Sequence, residues 1–201
     1  MKIAFCIPGN KFSNFFLKNW TNLIQSLPEH IEWKLFDYYH TYLFKLRNKI
    51  LSDAKEWDPD YYMWIDSDIN FKPEQFYQLL EYNESLVSGL YFMKTPELLS
   101  RQPGPNGYEF ACHGIHGSWL TTRHVQGLKG LVEVKANGMG WMLVKSKVFD
   151  NLNNPFNPIG SIDNNIIGED IAFQMRAADN GYKSYIDPST IVGHEKTVIL
   201  K

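Results

Sequence analysis

The stretch Tyr61–Ile69, YYMWIDSDI, decides the fold. Five large apolar or aromatic residues run without a polar break into Asp66-Ser67-Asp68. Parallel strands are covered on both faces, so they read as continuous apolar runs rather than alternating ones. The run therefore predicts a buried strand with two carboxylates at its carboxyl end, the edge where open α/β sheets bind ligands. Two hard oxygen donors this close suit Mg2+ or Mn2+ shared with phosphate oxygens. A strand-end turn, with Asp68 or Asn70 bonding local backbone ahead of a helix opened by Pro73, accounts for the same residues without a ligand.

Strand and helix patterns alternate on either side of this stretch. KIAFCIPG (Lys2–Gly9) reads as a buried strand. Ser13 then caps a helix carrying Phe16, Trp20, Leu23, Ile24 and Leu27 on one face. IEWKLFDYY (Ile31–Tyr39) is a second strand, followed by a helix with Leu43, Leu46, Ile50, Ala54 and Trp57 on its stripe. After the third strand, Pro73 opens a helix through Phe76, Leu79 and Leu80, and SLVSGLYFMK (Ser85–Lys94) is a fourth strand. The βαβαβαβ order predicts an α/β fold with a mostly parallel central sheet and helices on both faces. Residues 95–130, rich in Gly, Pro and His, read as a loop-rich insertion with a short strand pair. LVEVKANGMGWMLVKSKVF (Leu131–Phe149) reads as two strands around a Gly turn. A helix, EDIAFQMRAADNG, closes on Gly181, and a last strand, KSYIDPST, leads into IVGHEKTVIL.

A chain of 201 residues with 44% hydrophobic content fits one domain with a sizeable core. Its patterning changes after residue 94, which divides it into halves at 1–94 and 95–201. A net charge of −2 gives no electrostatic case for nucleic acid or a membrane surface. Cys6 and Cys112 are far apart, and Cys6 lies in an apolar run, as a free buried thiol does. The opening MKIAFCIPGN is too short in its apolar core for a signal peptide, and no run is long enough to span a bilayer. These readings point to a reduced, cytoplasmic compartment and no membrane span.

Other motifs narrow the chemistry. Asp66, Asp68 and Asn70 match the first ligands of an EF-hand, but its sixth position is Phe71 instead of Gly and its twelfth Tyr77 instead of Glu. No P-loop occurs, and GMGWM lacks the third Gly of a dinucleotide fingerprint. Arg47 borders the buried stripe of its helix, where a cation holds either a diphosphate or an acidic side chain. Gly168-Glu169-Asp170 opens a helix, where acids suit the dipole or present a general base. His194 follows a Gly in an irregular segment, and neutral imidazole is a good Mn2+ ligand. Cys112, His113 and His116 match no standard zinc spacing and read as an ordinary loop.

Taken in order, these pieces resemble the GT-A glycosyltransferases, most closely the family 2-like inverting group. They are the first strand ending in Pro8-Gly9, RNKIL at Arg47–Leu51, YMWIDSDI, VSGLYF, NGMGWMLVKSKVF, GEDIAFQMRAADNGYKSYIDPST and His194, and they leave 95–130 uncovered. The resemblance implies a nucleotide-sugar donor, a UDP-sugar first among them, a carbohydrate acceptor, and Mn2+ or Mg2+. It makes Asp68 and His194 metal ligands and Asp66 a ribose contact or a metal contact through water. Ser67 and Arg47 fall with the donor contacts, Pro8, Gly9 and Asn10 border the nucleoside, and Asp37 accepts a hydrogen bond from uracil. Met139, Gly140, Trp141 and Glu169 fall on the acceptor side, with Trp119 as a further sugar platform. Asp170 matches the general base, which takes the acceptor's proton as its oxygen attacks the anomeric carbon. Where the family has an acidic, Gly-Ser-rich segment after the second strand, this chain has FDYYHTY, so Tyr38 or Tyr39 stacking on the base is an alternative to Asp37. The chain stops soon after His194, so no long acceptor domain or membrane anchor is expected. A retaining transferase, a sugar nucleotidyltransferase and an inactive carbohydrate-binding module stay open beside the inverting reading.

Overall fold

The computed structural model describes residues 1–93, 107–160 and 166–196. The first part of the 95–130 region, up to 106, lies outside them. Strands β1 (Lys2–Pro8), β2 (Glu32–Tyr38), β3 (Tyr61–Ile65) and β5 (Leu86–Leu90) alternate with helices α1 (Asn14–Ser26), α2 (Leu43–Lys55) and α3 (Pro73–Glu81). A two-residue strand, β4 (Ile69–Asn70), follows the Asp66–Asp68 turn. Then come β6 (Glu109–His113), β7 (Trp119–Thr121), the short α4 (Thr122–Val125), β8 (Val132–Val134), β9 (Ala136–Asn137) and β10 (Trp141–Lys145). Helix α5 (Glu169–Asp179), β11 (Ser184–Ile191) and β12 (Gly193–His194) are the last elements of the described residues.

Seven strands form the main sheet in the order β2-β1-β3-β10-β5-β11-β8. β1 runs parallel to β2 and β3, and β11 parallel to β5, while β10 and β8 run antiparallel to their neighbours. The sheet is thus mostly parallel, with one antiparallel strand in its centre. The two strands expected around a Gly turn both form, but not as a hairpin: β10 lies between β3 and β5, and β8 lies at the far edge beyond β11. The expected strand pair of the insertion is β6 with β7, which joins β9 in a separate three-stranded sheet.

Alternation along β1 sorts the core into two layers. Ile3, Phe5 and Ile7 pack with Phe16 and Leu23 of α1 and Phe76 and Leu79 of α3. Ala4 and Cys6 face α2 and α5 through Leu46, Ile50 and Phe173. All five side chains of β3 are buried. Burying a large apolar side chain contributes about 1.5–3 kcal/mol, so β3 is a rigid post for whatever follows it. Ser13 caps α1 as expected, its Oγ accepting from Phe16 N at 3.0 Å. No helix among the described residues is long and apolar enough to cross a membrane.

Candidate active site

The chain leaves β3 at Asp66 and turns at once. Asp66 N donates to Gly140 O at 3.0 Å, and Ile69 N donates to Asp66 O at 3.0 Å, closing the turn. The end of β1 presses against it: a Cβ on Gly9, whose φ is 151°, would stand 2.5 Å from Ser67 Oγ. Only glycine lets the backbone come this close at that φ. Pro8 is buried beside Gly9, and Asn10 is exposed at the rim.

Asp66 points inward. Its Oδ1 takes a hydrogen bond from Arg47 Nη2 at 2.8 Å, and Arg47 Nε stands 3.4 Å from Glu169 Oε1. Of the two roles open to Arg47, the structure places it against acidic side chains. At 1% exposure the guanidinium is sealed in, so the expected direct hold on a diphosphate does not fit its position. Burial disfavours its charge, but Asp66, Glu169 and Asp170 outweigh that and raise its pKa. Among the described residues the buried Arg47 Nη1 has no hydrogen-bond partner. Burial also pushes the Glu169 carboxyl up, against the pull of Arg47.

Asp68 points outward to a different group. Its Oδ2 lies 2.6 Å from Lys196 Nζ and 3.2 Å from His194 Nε2, and Lys196 Nζ also contacts His194 Nε2. His194 Nδ1 lies 2.8 Å from Phe92 O. A carbonyl can only accept and an ammonium can only donate, so Nδ1 carries a proton toward Phe92 O and Nε2 faces Lys196 with its lone pair. Burial alone would raise the Asp68 carboxyl, but His194 and Lys196 hold it down to about 2. The segment carrying these two groups is fixed by backbone: β12 pairs antiparallel with β4, and Glu195 N donates to Asp68 O at 2.7 Å. Glu195 Oε1 accepts from Ser13 Oγ at 2.6 Å.

Asp170 stands in the first turn of α5. Its Oδ1 accepts from Ile171 N at 2.7 Å. Burial raises its carboxyl, opposed by that hydrogen bond and by Arg47. A buried amide pair anchors the helix: Gln174 Nε2 donates to Asp170 O at 3.1 Å and also to Asn137 O, while Gln174 Oε1 accepts from Asn137 N at 2.9 Å. Asn137 Nδ2 in turn donates to Ser88 Oγ of β5 at 2.7 Å.

Two sets of expected residues lie elsewhere. Met139 and Trp141 are core side chains at 1% and 0% exposure, with Trp141 stacked on Phe71 at 4.7 Å. Neither has a free face for an acceptor, and Gly140 is buried with them. The reason is Tyr91: a Cβ on Gly138 would meet Tyr91 Oη at 2.0 Å, and Gly140 N donates to that hydroxyl at 3.1 Å. The glycines make room for this ring, which meets the His194 ring edge to face at 5.1 Å. Asp37 is exposed at the end of β2, on a cavity of about 190 Å³ walled by Ile7, Phe12, Leu17 and Leu35. Cys112 is buried, and His113 rests on Trp119 with centroids 3.7 Å apart. Lys196, Tyr91 and the Asn137–Gln174 pair were not singled out from the sequence. The only sequence signal for Lys196 is its place two residues after His194, the spacing that lets alternate strand residues share a face.

No family model and no curated protein matches the chain. Solved structures do. A197 from STIV superposes with a TM-score of 0.59 at 15% identity, covering 100% of this chain and 97% of its own. GalNAc-T7, solved with UDP, GalNAc and Mn2+, gives a TM-score of 0.61 at 12% identity, covering 98% of this chain and 44% of its own. At such identities the likeness is one of fold. It is the GT-A fold, a mostly parallel sheet between helices.

Proposed function

We propose that the chain is a metal-dependent glycosyltransferase. In this reading it moves a sugar from a nucleotide-sugar donor, a UDP-sugar first, to an acceptor hydroxyl with inversion, and Asp170 is the general base. One observation carries the proposal. At the carboxyl edge of β3, Asp68 Oδ2 and the lone pair of His194 Nε2 converge on a single cationic point, which Lys196 Nζ fills. An oxygen and an imidazole nitrogen are donors that Mn2+ accepts, so the residues fit the ion. Among the described residues no three His, Cys, Asp or Glu side chains gather there, so an ion held by Asp68 and His194 would need further ligands from the donor or water. GalNAc-T7, a structure of the same fold, was solved with UDP, GalNAc and Mn2+, which supports that pairing.

The roles follow. Pro8, Gly9 and Asn10 border the nucleoside at the end of β1, with Asp37 at the cavity beside them. Ser67 and the outer face of Asp66 meet the ribose side. Asp68 and His194 would hold the ion, which when bound would supply positive charge against that growing on the leaving diphosphate. Asp170, its Oδ1 tied to its own helix, takes the acceptor's proton on Oδ2 as the acceptor oxygen bonds to the anomeric carbon. The bond from that carbon to the phosphate oxygen breaks, and the nucleoside diphosphate leaves. Burial makes Asp170 a stronger base than a solvated carboxylate. Arg47 is the counter-ion that lets Asp66, Glu169 and Asp170 stand together.

Thermal melting with uridine diphosphate and Mn2+ tests the class. Ligand at a hundredfold excess over Kd adds about 2.7 kcal/mol, and each kcal/mol moves the melting point of a chain this long by roughly 2–4 °C. The pair together should raise it by roughly 5–11 °C, and either alone much less. A melting curve that no nucleoside diphosphate moves with Mn2+ or Mg2+ overturns the reading. Product stereochemistry by proton NMR separates inversion from retention.

A further inference from the structure

Lys196 carries an inference that rests on the transferase reading and goes beyond it. Its ammonium donates to Asp68 Oδ2 at 2.6 Å and faces the His194 Nε2 lone pair, the two atoms assigned above to the ion. It is not placed there by chance reach. The antiparallel pairing of Gly193 with Asn70 and of His194 with Ile69 fixes the strap's register. Two further bonds hold the residue before Lys196: Glu195 N to Asp68 O at 2.7 Å and Ser13 Oγ to Glu195 Oε1 at 2.6 Å. One imidazole lone pair serves one cation at a time. An ammonium and a divalent ion on the same carboxylate oxygen and the same nitrogen therefore exclude each other, by occupancy and by like charge.

The local charges make this exclusion selective. Asp68 and Lys196 cancel, so a bare divalent ion meets no net negative charge at the pair. An ion already on a diphosphate brings anionic oxygens, and those give the displaced ammonium a new partner close by. We infer that Lys196 competes with the divalent ion for Asp68 and His194, so that the ion binds well only together with the nucleoside diphosphate. The ion and the nucleotide then load as one unit, and the metal-free protein keeps its pair of ligands closed.

Titration calorimetry decides the point, using MnCl2 alone, uridine diphosphate alone, and the two together, at one pH. The wild type should bind Mn2+ alone weakly and far more tightly once uridine diphosphate is present. Lys196→Met should bind Mn2+ alone more tightly by roughly tenfold or more, the scale of one charge-assisted hydrogen bond. It should also show a smaller gain from added uridine diphosphate, because no ammonium remains to be re-partnered. Lys196→Arg, which keeps the charge, should stay weak for Mn2+ alone. Equal Mn2+ affinity in the wild type and Lys196→Met overturns the inference while leaving the metal site standing. Should the wild type bind no Mn2+ even with uridine diphosphate, or should Asp68→Ala bind the pair as the wild type does, the metal site itself falls and the competition with it.

Discussion

Asp66 and Asp68 are the same residue, two positions apart in one turn, and they stand in opposite surroundings. Asp66 turns inward to a sealed arginine and shares it with Glu169. Asp68 turns outward to a strap from the far end of the chain, where its side chain keeps 42% exposure against 28% for Asp66. The first cluster is charge packed into protein, with acids raised by burial. The second is charge at the rim, with an acid held down by His194 and Lys196 beside it. A turn at the end of a rigid strand can thus feed two kinds of chemistry at once. In the transferase reading proposed above, the enclosed side would store basicity and the open side would take the ion.

The largest effect should come from the enclosed side. Asp170→Asn keeps the hydrogen bond to Ile171 N but loses basicity, and loss of a general base costs ~10²–10⁴-fold in rate. Stability should move the other way. A carboxyl whose folded pKa is raised is fully compatible with the fold below its unfolded pKa and costs stability as pH rises through the folded value. The asparagine removes that cost, so at neutral pH the variant should melt no lower than the wild type, and any gap should close on acidification. Near-normal turnover, or a melting point well below the wild type, breaks the picture of an enclosed base.

Next in size is the arginine that makes the enclosure possible. Arg47→Met leaves Asp66 and Glu169 facing each other without a counter-ion. Breaking a buried pair costs about 3–5 kcal/mol, and partial exposure of both acids puts this case near 3 kcal/mol. The melting point should drop by roughly 6–12 °C. Mild acid should shrink the loss, because Glu169, whose carboxyl burial already raises, stops repelling Asp66 once it is protonated. If the two clusters are separate, Mn2+ with uridine diphosphate should still stabilise the variant. An Arg47→Met protein that melts like the wild type would make the enclosed cluster a bystander.

Much of this molecule was legible in its sequence where one local rule sufficed. The unbroken apolar run named β3, Ser13 named the start of α1, and the acids after Gly168 named the start of α5. What stayed hidden were relations between distant segments. The pattern of Trp141–Lys145 says strand but not neighbour, so nothing foretold an antiparallel strand between β3 and β5. Met139, Gly140 and Trp141 fell on the acceptor side by resemblance, and the space beside the two glycines belongs to Tyr91. Lys196 is an ordinary surface lysine until β12 pairs with β4 and swings it onto Asp68. Periodicity reports what a residue's own segment does, and a site is made by what other segments bring to it.

The smallest effect belongs to the open side, and its sign separates the two clusters. Asp68 is held down to about 2, against about 3.9 for a free aspartate. A depressed carboxyl adds stability above its unfolded pKa and loses it as pH falls through its folded pKa, so the window runs from about pH 4 to about pH 2. At 42% exposure, solvent screens most of that gain, leaving under about 1 kcal/mol and a shift below about 4 °C. Asp68→Asn should therefore melt slightly below the wild type at neutral pH, and the two curves should meet near pH 2. Glu169, beside Arg47, behaves oppositely, since burial raises its carboxyl and protonation relieves it. Added salt should erase the Asp68 difference and leave the Arg47→Met deficit nearly intact, because screening reaches exposed pairs first. If salt removed both deficits alike, Asp66 and Asp68 would share one environment, and the division between a stored base and an exchangeable ion would fail.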